Sequence, residues 1–326
     1  MPMRPLDRRL AVRGTDDDPR LGRRLVDDPD RARVCLVGCA DDAGVANSGG
    51  RAGASLGPTE IRRWLYRLTT GMNGELEALP LFDAGDVLPG ADIDETHAEV
   101  ERVVAEHARQ GRIVVFLGGG HDLAYASHAG VFEAHSGRGA VVNVDTHLDV
   151  RPLRDGRVIT SGTPFRRLLD RFGRRVGAFV ELGIQPQHNS RQHAELVRAR
   201  GGRVVSLDRL REAPSVASLL ESELTEAASE QTATAGSPEG EPAFLTVSVD
   251  LDVASASDAP GTSAPPADGI APADLGRFCE AVGRHPKARL LDVMELSPPQ
   301  DENGKTARLA AFCVWRFLVG VASRRA

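Results

Sequence analysis

Asn143-Val-Asp-Thr-His-Leu-Asp-Val-Arg151 is the stretch on which the reading of this chain turns. It continues an apolar run, Ala140–Val142, that has the composition of a buried strand. Residues at i and i+2 of a strand share a face, so Asp145, His147 and Asp149 begin on one side, with Thr146 and Leu148 on the other. At roughly 3.3 Å per residue a straight strand would spread Asp145 and Asp149 by about 13 Å, too far for one site. The chain must therefore curl near His147, where the strand is predicted to end. Two other stretches have the same character: Gly118-Gly-Gly-His-Asp122 after the apolar run Ile113–Leu117, and Ser248-Val-Asp-Leu-Asp252 at the end of Phe244–Asp250.

The three stretches bring His121, His147, Asp145, Asp149, Asp250 and Asp252 to strand ends. Four ionised aspartates crowded together repel one another, and two divalent cations would cancel that charge. The donor set is rich in oxygen, which favours Mn²⁺ over zinc, whose sites draw more nitrogen and sulfur. Two ions sharing a water would make hydroxide available near neutral pH. Singly, an aspartate here could be a helix cap and a histidine a satisfied core residue; six of them in three strand-end motifs point to metal.

Around these motifs strands and helices alternate. Ala32–Gly38, Val176–Leu182, Val204–Leu207 and Leu290–Glu295 read as further strands. Helices are expected from Pro58 (apolar at Ile61, Leu65 and Leu68), from about Asp122 to His135, near Arg191–Arg200, and over Thr306–Ser323. The fold class is α/β: a single three-layer α/β/α domain over residues 33–326, with a mainly parallel sheet of about eight strands. In such sheets ligands bind beyond the carboxyl ends of the strands, where all three motifs lie. Residues 1–32, dense in Arg and Asp, read as an arm or loosely held lead-in, and the apolar-poor 229–242 as a flexible insertion.

Composition excludes several classes. A net charge of −6 and a pI near 5.9 argue against a nucleic-acid surface. No run approaches the roughly 20 apolar residues of a membrane span, and the start lacks the apolar core of a secretory signal. Cys35, Cys39, Cys279 and Cys313 form no dense framework and read as free, buried thiols of a cytoplasmic protein. Gly118–Gly120 lacks the Lys-Ser/Thr of a nucleotide loop.

At the metal motifs the chain resembles the arginase–agmatinase ureohydrolase family, and more closely its formimidoylglutamase branch. The resemblance runs from about Cys35 to Phe317. It includes Gly50-Arg-Ala-Gly-Ala, Gly-Pro58 with Ile-Arg62, Asp83-Ala-Gly-Asp-Val87, Ser161-Gly-Thr-Pro-Phe165, Ala259-Pro-Gly-Thr-Ser-Ala-Pro265 and Asp292-Val-Met-Glu-Leu-Ser-Pro298. It implies an arginase-like fold and a binuclear manganese hydrolase of amidine-type C–N bonds. His121, Asp145, Asp149 and Asp250 would hold one ion. Asp145, His147, Asp250 and Asp252 would hold the other, with Asp145 and Asp250 bridging. Asp149 matches the position that also takes a proton during attack, and Glu295 the glutamate that grips the cationic amidine or guanidine. A trimeric or hexameric homo-oligomer is implied as well. Where arginases carry a proton-shuttle histidine, this chain has Phe165, so arginase activity is not expected and proton delivery falls to water or Asp149.

Arg151 is the main specificity clue, because its guanidinium fork suits a carboxylate. Agmatine, ending in an amine, would be repelled. N-formimidoyl-L-glutamate, with a cationic head and two carboxylates, would span Glu295 and Arg151 and yield L-glutamate and formamide, a step of histidine breakdown. Arg151 could instead pair with Asp149 or Asp155, and Glu295 with a surface cation. Ser161 and Thr163 match neighbouring substrate positions, and Gln185 and Asn189 are placed at the mouth. The alternatives are a guanidino-acid ureohydrolase, guanidinobutyrase- or agmatinase-like, releasing urea, and a metal-binding scaffold without catalysis.

Overall fold

The computed structural model describes residues 3–235 and 241–324. Among them nine strands form one sheet: β1 Met3–Arg4, β2 Val34–Cys39, β3 Leu81–Val87, β4 Ile113–Leu117, β5 Gly139–Val144, β6 Val176–Ile184, β7 Arg203–Ser206, β8 Phe244–Asp250 and β9 Ala288–Met294. Their order is β1-β3-β2-β4-β9-β8-β5-β6-β7. Eight run parallel, and β1 lies antiparallel along β3 at one edge. The central strands are buried along their whole length, as continuous apolar runs require when helices cover both faces.

One layer contains the helices Gly57–Leu65, Val216–Ala235, Pro272–Arg284 and Lys305–Ala322, packed on Leu36, Val115, Val247 and Leu291. The opposite layer contains Ile93–Arg109, Leu123–Ala134 and Pro164–Phe172, packed on Val37, Phe116, Val141 and Phe179. The α/β/α architecture is therefore the expected one. Three of the expected helices are close to their predicted bounds, while the helix at Pro58 stops at Leu65, short of Leu68. Strand β3 and the helix Ile93–Arg109 had not been expected.

Two terminal and insertion readings change. Residues 3–32 are tied to the sheet: Met3 pairs with Val87, Leu25 bridges to Leu81, and Leu21 is wholly buried. The segment 229–242 begins inside the helix Val216–Ala235, and 236–240 lie outside the described residues. All four cysteines are buried and free.

A buried ion cluster ties this edge of the sheet to the helix Gly57–Leu65. Arg62, 2% exposed, binds Asp83 through Nε at 2.8 Å and Nη2 at 3.0 Å, and Asp86 through Nη1 at 2.5 Å. Tyr66 donates its hydroxyl to Asp83, and Arg4 of β1 reaches Asp86 at 2.5 Å. Removing one partner of a buried ion pair leaves an uncompensated charge. Arg62→Met is expected to destabilise the fold by about 3–5 kcal/mol, the range for breaking such a pair. Urea unfolding checks this, and a loss below about 1 kcal/mol, the ceiling for an exposed pair, would contradict the role assigned to the cluster.

Candidate metal centre and cleft

The parallel sheet delivers three acids and a histidine to its carboxyl edge. Asp145 immediately follows β5, Asp250 ends β8 and Glu295 immediately follows β9, while His121 stands four residues past β4. The glycine triplet makes the approach of His121 possible. A Cβ on Gly119 would lie 1.7 Å from the Asp41 carbonyl oxygen, so only glycine fits. The triplet is no anion cradle: the Gly118 amide donates to Val293 O at 2.9 Å and the Gly120 amide to Asp41 O at 2.9 Å. The amide of His121 donates to Glu295 Oε1 at 2.8 Å, and the amide of Glu295 to Gly119 O at 2.9 Å, locking these two loops together.

The curl expected near His147 is present. His147 N donates to Asp145 Oδ1 at 2.7 Å, and Asp149 adopts φ 44°. Glu295 also has positive φ, 69°. Left-handed backbone is unfavourable for residues with a Cβ, and in native structures it clusters at functional sites.

Two groups of ligand atoms converge. In the first, His121 Nδ1 faces Asp149 Oδ2 at 2.9 Å, Asp250 Oδ2 at 3.0 Å and Asp145 Oδ2 at 3.3 Å. In the second, His147 Nδ1 faces Asp252 Oδ2 at 3.3 Å and Asp145 Oδ1 at 3.4 Å. Within each group all ligand atoms lie within 4.8 Å of one another, and Asp145 belongs to both. Asp250 falls in the first group, and its Oδ1 accepts the Asp252 amide at 2.8 Å just as Asp145 Oδ1 accepts that of His147.

The donor set fits a cation on two counts. First, the ring of His121 is oriented for ligation. The Ser248 hydroxyl gives its proton to Asp292, so it accepts from His121 Nε2, 3.0 Å away, and Nδ1 is turned toward the carboxylates. That buried Nδ1 makes no hydrogen bond despite three oxygens close by, and Asp252 Oδ1 is likewise buried and unpartnered. Second, the acids cannot all ionise unaided. Burial, with the neighbouring charges of Asp252 and Asp145, raises the Asp250 pKa well above its usual range. Burial and Asp145 push Asp252 up to about 7, and burial and Asp250 raise Glu295. Burial disfavours charge on the histidines too, but contacts with Asp145, Asp149 and Asp250 raise His121, and Asp252 and Asp145 bring His147 up to about 12. Protons here occupy places that divalent cations would take.

Above the cluster opens a cleft of about 570 Å³. Its lining includes His147, Asp149, Asp250, Asp252 and Glu295, and also Arg151 and Ser161. Arg151 lies against Gly162, where a Cβ would come within 2.6 Å of its Cδ, and its amide donates to Gly162 O at 2.9 Å. Three expected contacts do not face the cleft. Thr163 is buried and turns its hydroxyl to Thr160 O at 2.7 Å. Gln185 is buried against Thr146 and Asp268. Asn189 braces the metal loop, accepting the Leu148 amide at 2.9 Å and donating to Thr146 O at 2.8 Å. Phe165 packs edge-on to His121, 5.7 Å between centroids, and holds no polar role. Lining residues not anticipated are Asn47, Ser48, Arg154, His193 and Ser263. Ser48 stood in the glycine-rich stretch and Arg154 near Arg151; His193, a lone histidine on a helix, gave no signal.

Displacement of the Asp252 proton predicts a pH dependence. Below about pH 7 a cation competes with that proton as well as with those on the two histidines, so affinity should rise as pH passes through 7. Calorimetric titration of Mn²⁺ in buffers of different ionisation enthalpy should record net proton release and tightening between pH 6 and 8. Flat affinity with no released proton would contradict this account.

Comparison with known proteins agrees with the geometry. The arginase family matches residues 32–320. The formimidoylglutamase of Corynebacterium efficiens is 33% identical over 278 residues, covering 85% of this chain and 82% of that protein. The formimidoylglutamase of Geobacillus kaustophilus is 35% identical over 296 residues, 87% and 83% respectively. Trypanosoma cruzi formiminoglutamase solved with Mn²⁺ superposes with a TM-score of 0.83 at 32% identity, covering 95% of this chain and all of that one.

Proposed function

This chain belongs to the arginase family, and from that premise we propose that it is a binuclear manganese hydrolase that converts N-formimidoyl-L-glutamate and water to L-glutamate and formamide. The reading is supported by the curated relatives, which are formimidoylglutamases, and above all by the polarity of the cleft. Carboxylates line its floor, Glu295 among them, and Arg151 lines its wall with no carboxylate partner among the described residues. A molecule with a cationic head and an anionic tail is complementary to that arrangement.

His121, Asp145, Asp149 and Asp250 would hold one ion, and Asp145, His147 and Asp252 the other. When bound, the ions acidify water so that a hydroxide nucleophile is available near neutral pH. The chain's own groups do the rest. Glu295 faces the amidinium and favours the positive charge of the formimidoyl head. Arg151 holds a carboxylate and so orients the formimidoyl carbon toward the floor. Asp149 accepts the proton released by the attacking water and returns it to the leaving nitrogen of glutamate as the C–N bond breaks. With Phe165 buried against His121, no side chain at that position shares the proton transfer. The same family membership supports a trimer-based homo-oligomer working in the cytoplasm. No helix among the described residues is long and apolar enough to cross a membrane.

A guanidino-acid hydrolase is the second reading, because Arg151 would serve a single carboxylate equally well. It also has a structural counterpart: the proclavaminate amidino hydrolase of Streptomyces clavuligerus superposes with a TM-score of 0.69 at 27% identity, covering 90% of this chain and 94% of that one. Manganese-loaded protein is expected to release formamide and glutamate from formimidoylglutamate and no urea from 4-guanidinobutanoate. The reverse pattern would overturn the assignment. Arg151→Ala should raise KM by roughly 10- to 100-fold while changing kcat little, as loss of a charge-assisted anchor does. An unchanged KM would remove Arg151 from the substrate.

A further inference from the structure

Beneath the metal-ligating residues runs a second polar row that the reaction does not use. Strand register places Glu181 of β6 beside Asn143 of β5, Asn143 beside Ser248 of β8, and Ser248 beside Asp292 of β9. All four are wholly buried. Asn143 stands two residues before Asp145 and Ser248 two before Asp250, so the row lies on the same sheet face, one step below the cluster. Its Ser248 end sets the ring of His121, as described above. Its other end has no assigned purpose.

There, the Asn143 amide nitrogen is shared among three oxygens. It donates to Glu181 Oε2 at 2.9 Å and lies 3.3 Å from Asp145 Oδ2 and 3.4 Å from the His147 carbonyl. An amide flipped by half a turn would aim Oδ1 at the Asp145 carboxylate, oxygen against oxygen. The Glu181 carboxyl opposes that flip, because it gives the nitrogen its shortest contact. Glu181 Oε1 is itself buried and unpartnered, as is Asn143 Oδ1. A fully buried acid with an empty oxygen is costly, and beside several aspartates more so, unless it serves a structural purpose.

We propose that Glu181 is a positioning residue of the metal centre: it clamps the Asn143 amide with nitrogen toward Asp145, and so holds the carboxylate common to both ligand groups in its ligating orientation. This rests on the metal reading of the site and extends it to residues that touch neither ion nor substrate. Groups behind a ligand of this kind change metal affinity by 10- to 100-fold when removed.

The experiment compares Glu181→Leu, Glu181→Gln and the untouched protein by Mn²⁺ calorimetry and by electron paramagnetic resonance of the loaded pair. Glu181→Leu keeps the volume but removes the clamp; it should weaken Mn²⁺ binding at least tenfold and alter the spin-coupled signal. Glu181→Gln retains an acceptor oxygen for Asn143 and should stay within about threefold of the parent, the rescue that a purely packing role would not require. Asn143→Ala provides a second route should Glu181→Leu fold poorly, and should weaken Mn²⁺ to a similar extent. Wild-type affinity and signal in Glu181→Leu or Asn143→Ala, or equal losses in the Gln and Leu variants, would overturn the proposal. Failure of the substrate assignment is separate: the affinity series stands whether formamide or urea is the product.

Discussion

Charge crowding in a dry place governs this structure. Two carboxylates about 4 Å apart repel by about 4 kcal/mol at an effective dielectric near 20, and here four aspartates and a glutamate share one buried floor. Without a cation the repulsion is relieved by protons, which is why burial and mutual charge raise Asp250, Asp252 and Glu295 together. A folded chain that retains such a cluster needs positive charge there. The two histidines face the acids through single nitrogens, and with His121 the serine behind it fixes which nitrogen that is.

The sheet makes this crowding possible. Parallel strands end side by side, so β5, β8 and β9 deliver Asp145, Asp250 and Glu295 to one edge without any loop having to reach. The other metal-type side chains come from short departures beyond the strands, and backbone strain falls at Asp149 on one of these and at Glu295 just past β9. Below them the Glu181–Asn143–Ser248–Asp292 row replaces what would otherwise be apolar core. The ion cluster around Arg62 does comparable work at the far edge, holding β1 and β3 to the sheet.

Chain stretches with one strong period or one apolar run were legible. Ile113–Leu117, Val176–Leu182 and Phe244–Asp250 were legible as strands because runs of five to seven residues rich in Val, Leu and Phe are too short for a typical helix and suit a buried strand. Strand β3 escaped notice because Leu-Phe-Asp-Ala-Gly-Asp-Val carries two aspartates, and their partner, Arg62, is some twenty residues away in sequence. The N-terminal segment looked loose because the contacts that anchor it reach across the fold, as Arg4 does to Asp86 and Asp30 to Arg112. Substrate-facing residues were the least legible. Thr163, Gln185 and Asn189 lie close in sequence to the site yet turn toward backbone groups, while Arg154 and His193 reach the cleft from positions with no motif.

By itself the sequence determined the layered α/β class, the six metal-type side chains and the family, because strand periodicity and strand-end chemistry are local properties. Only the tertiary structure decided that Arg151 lies against Gly162 with no acidic partner among the described residues, that Asp145 offers an oxygen to each ligand group, and that a second polar row lies below the first. Those facts depend on register and on the approach of segments distant along the chain, and no local pattern encodes which side chain meets which across a sheet.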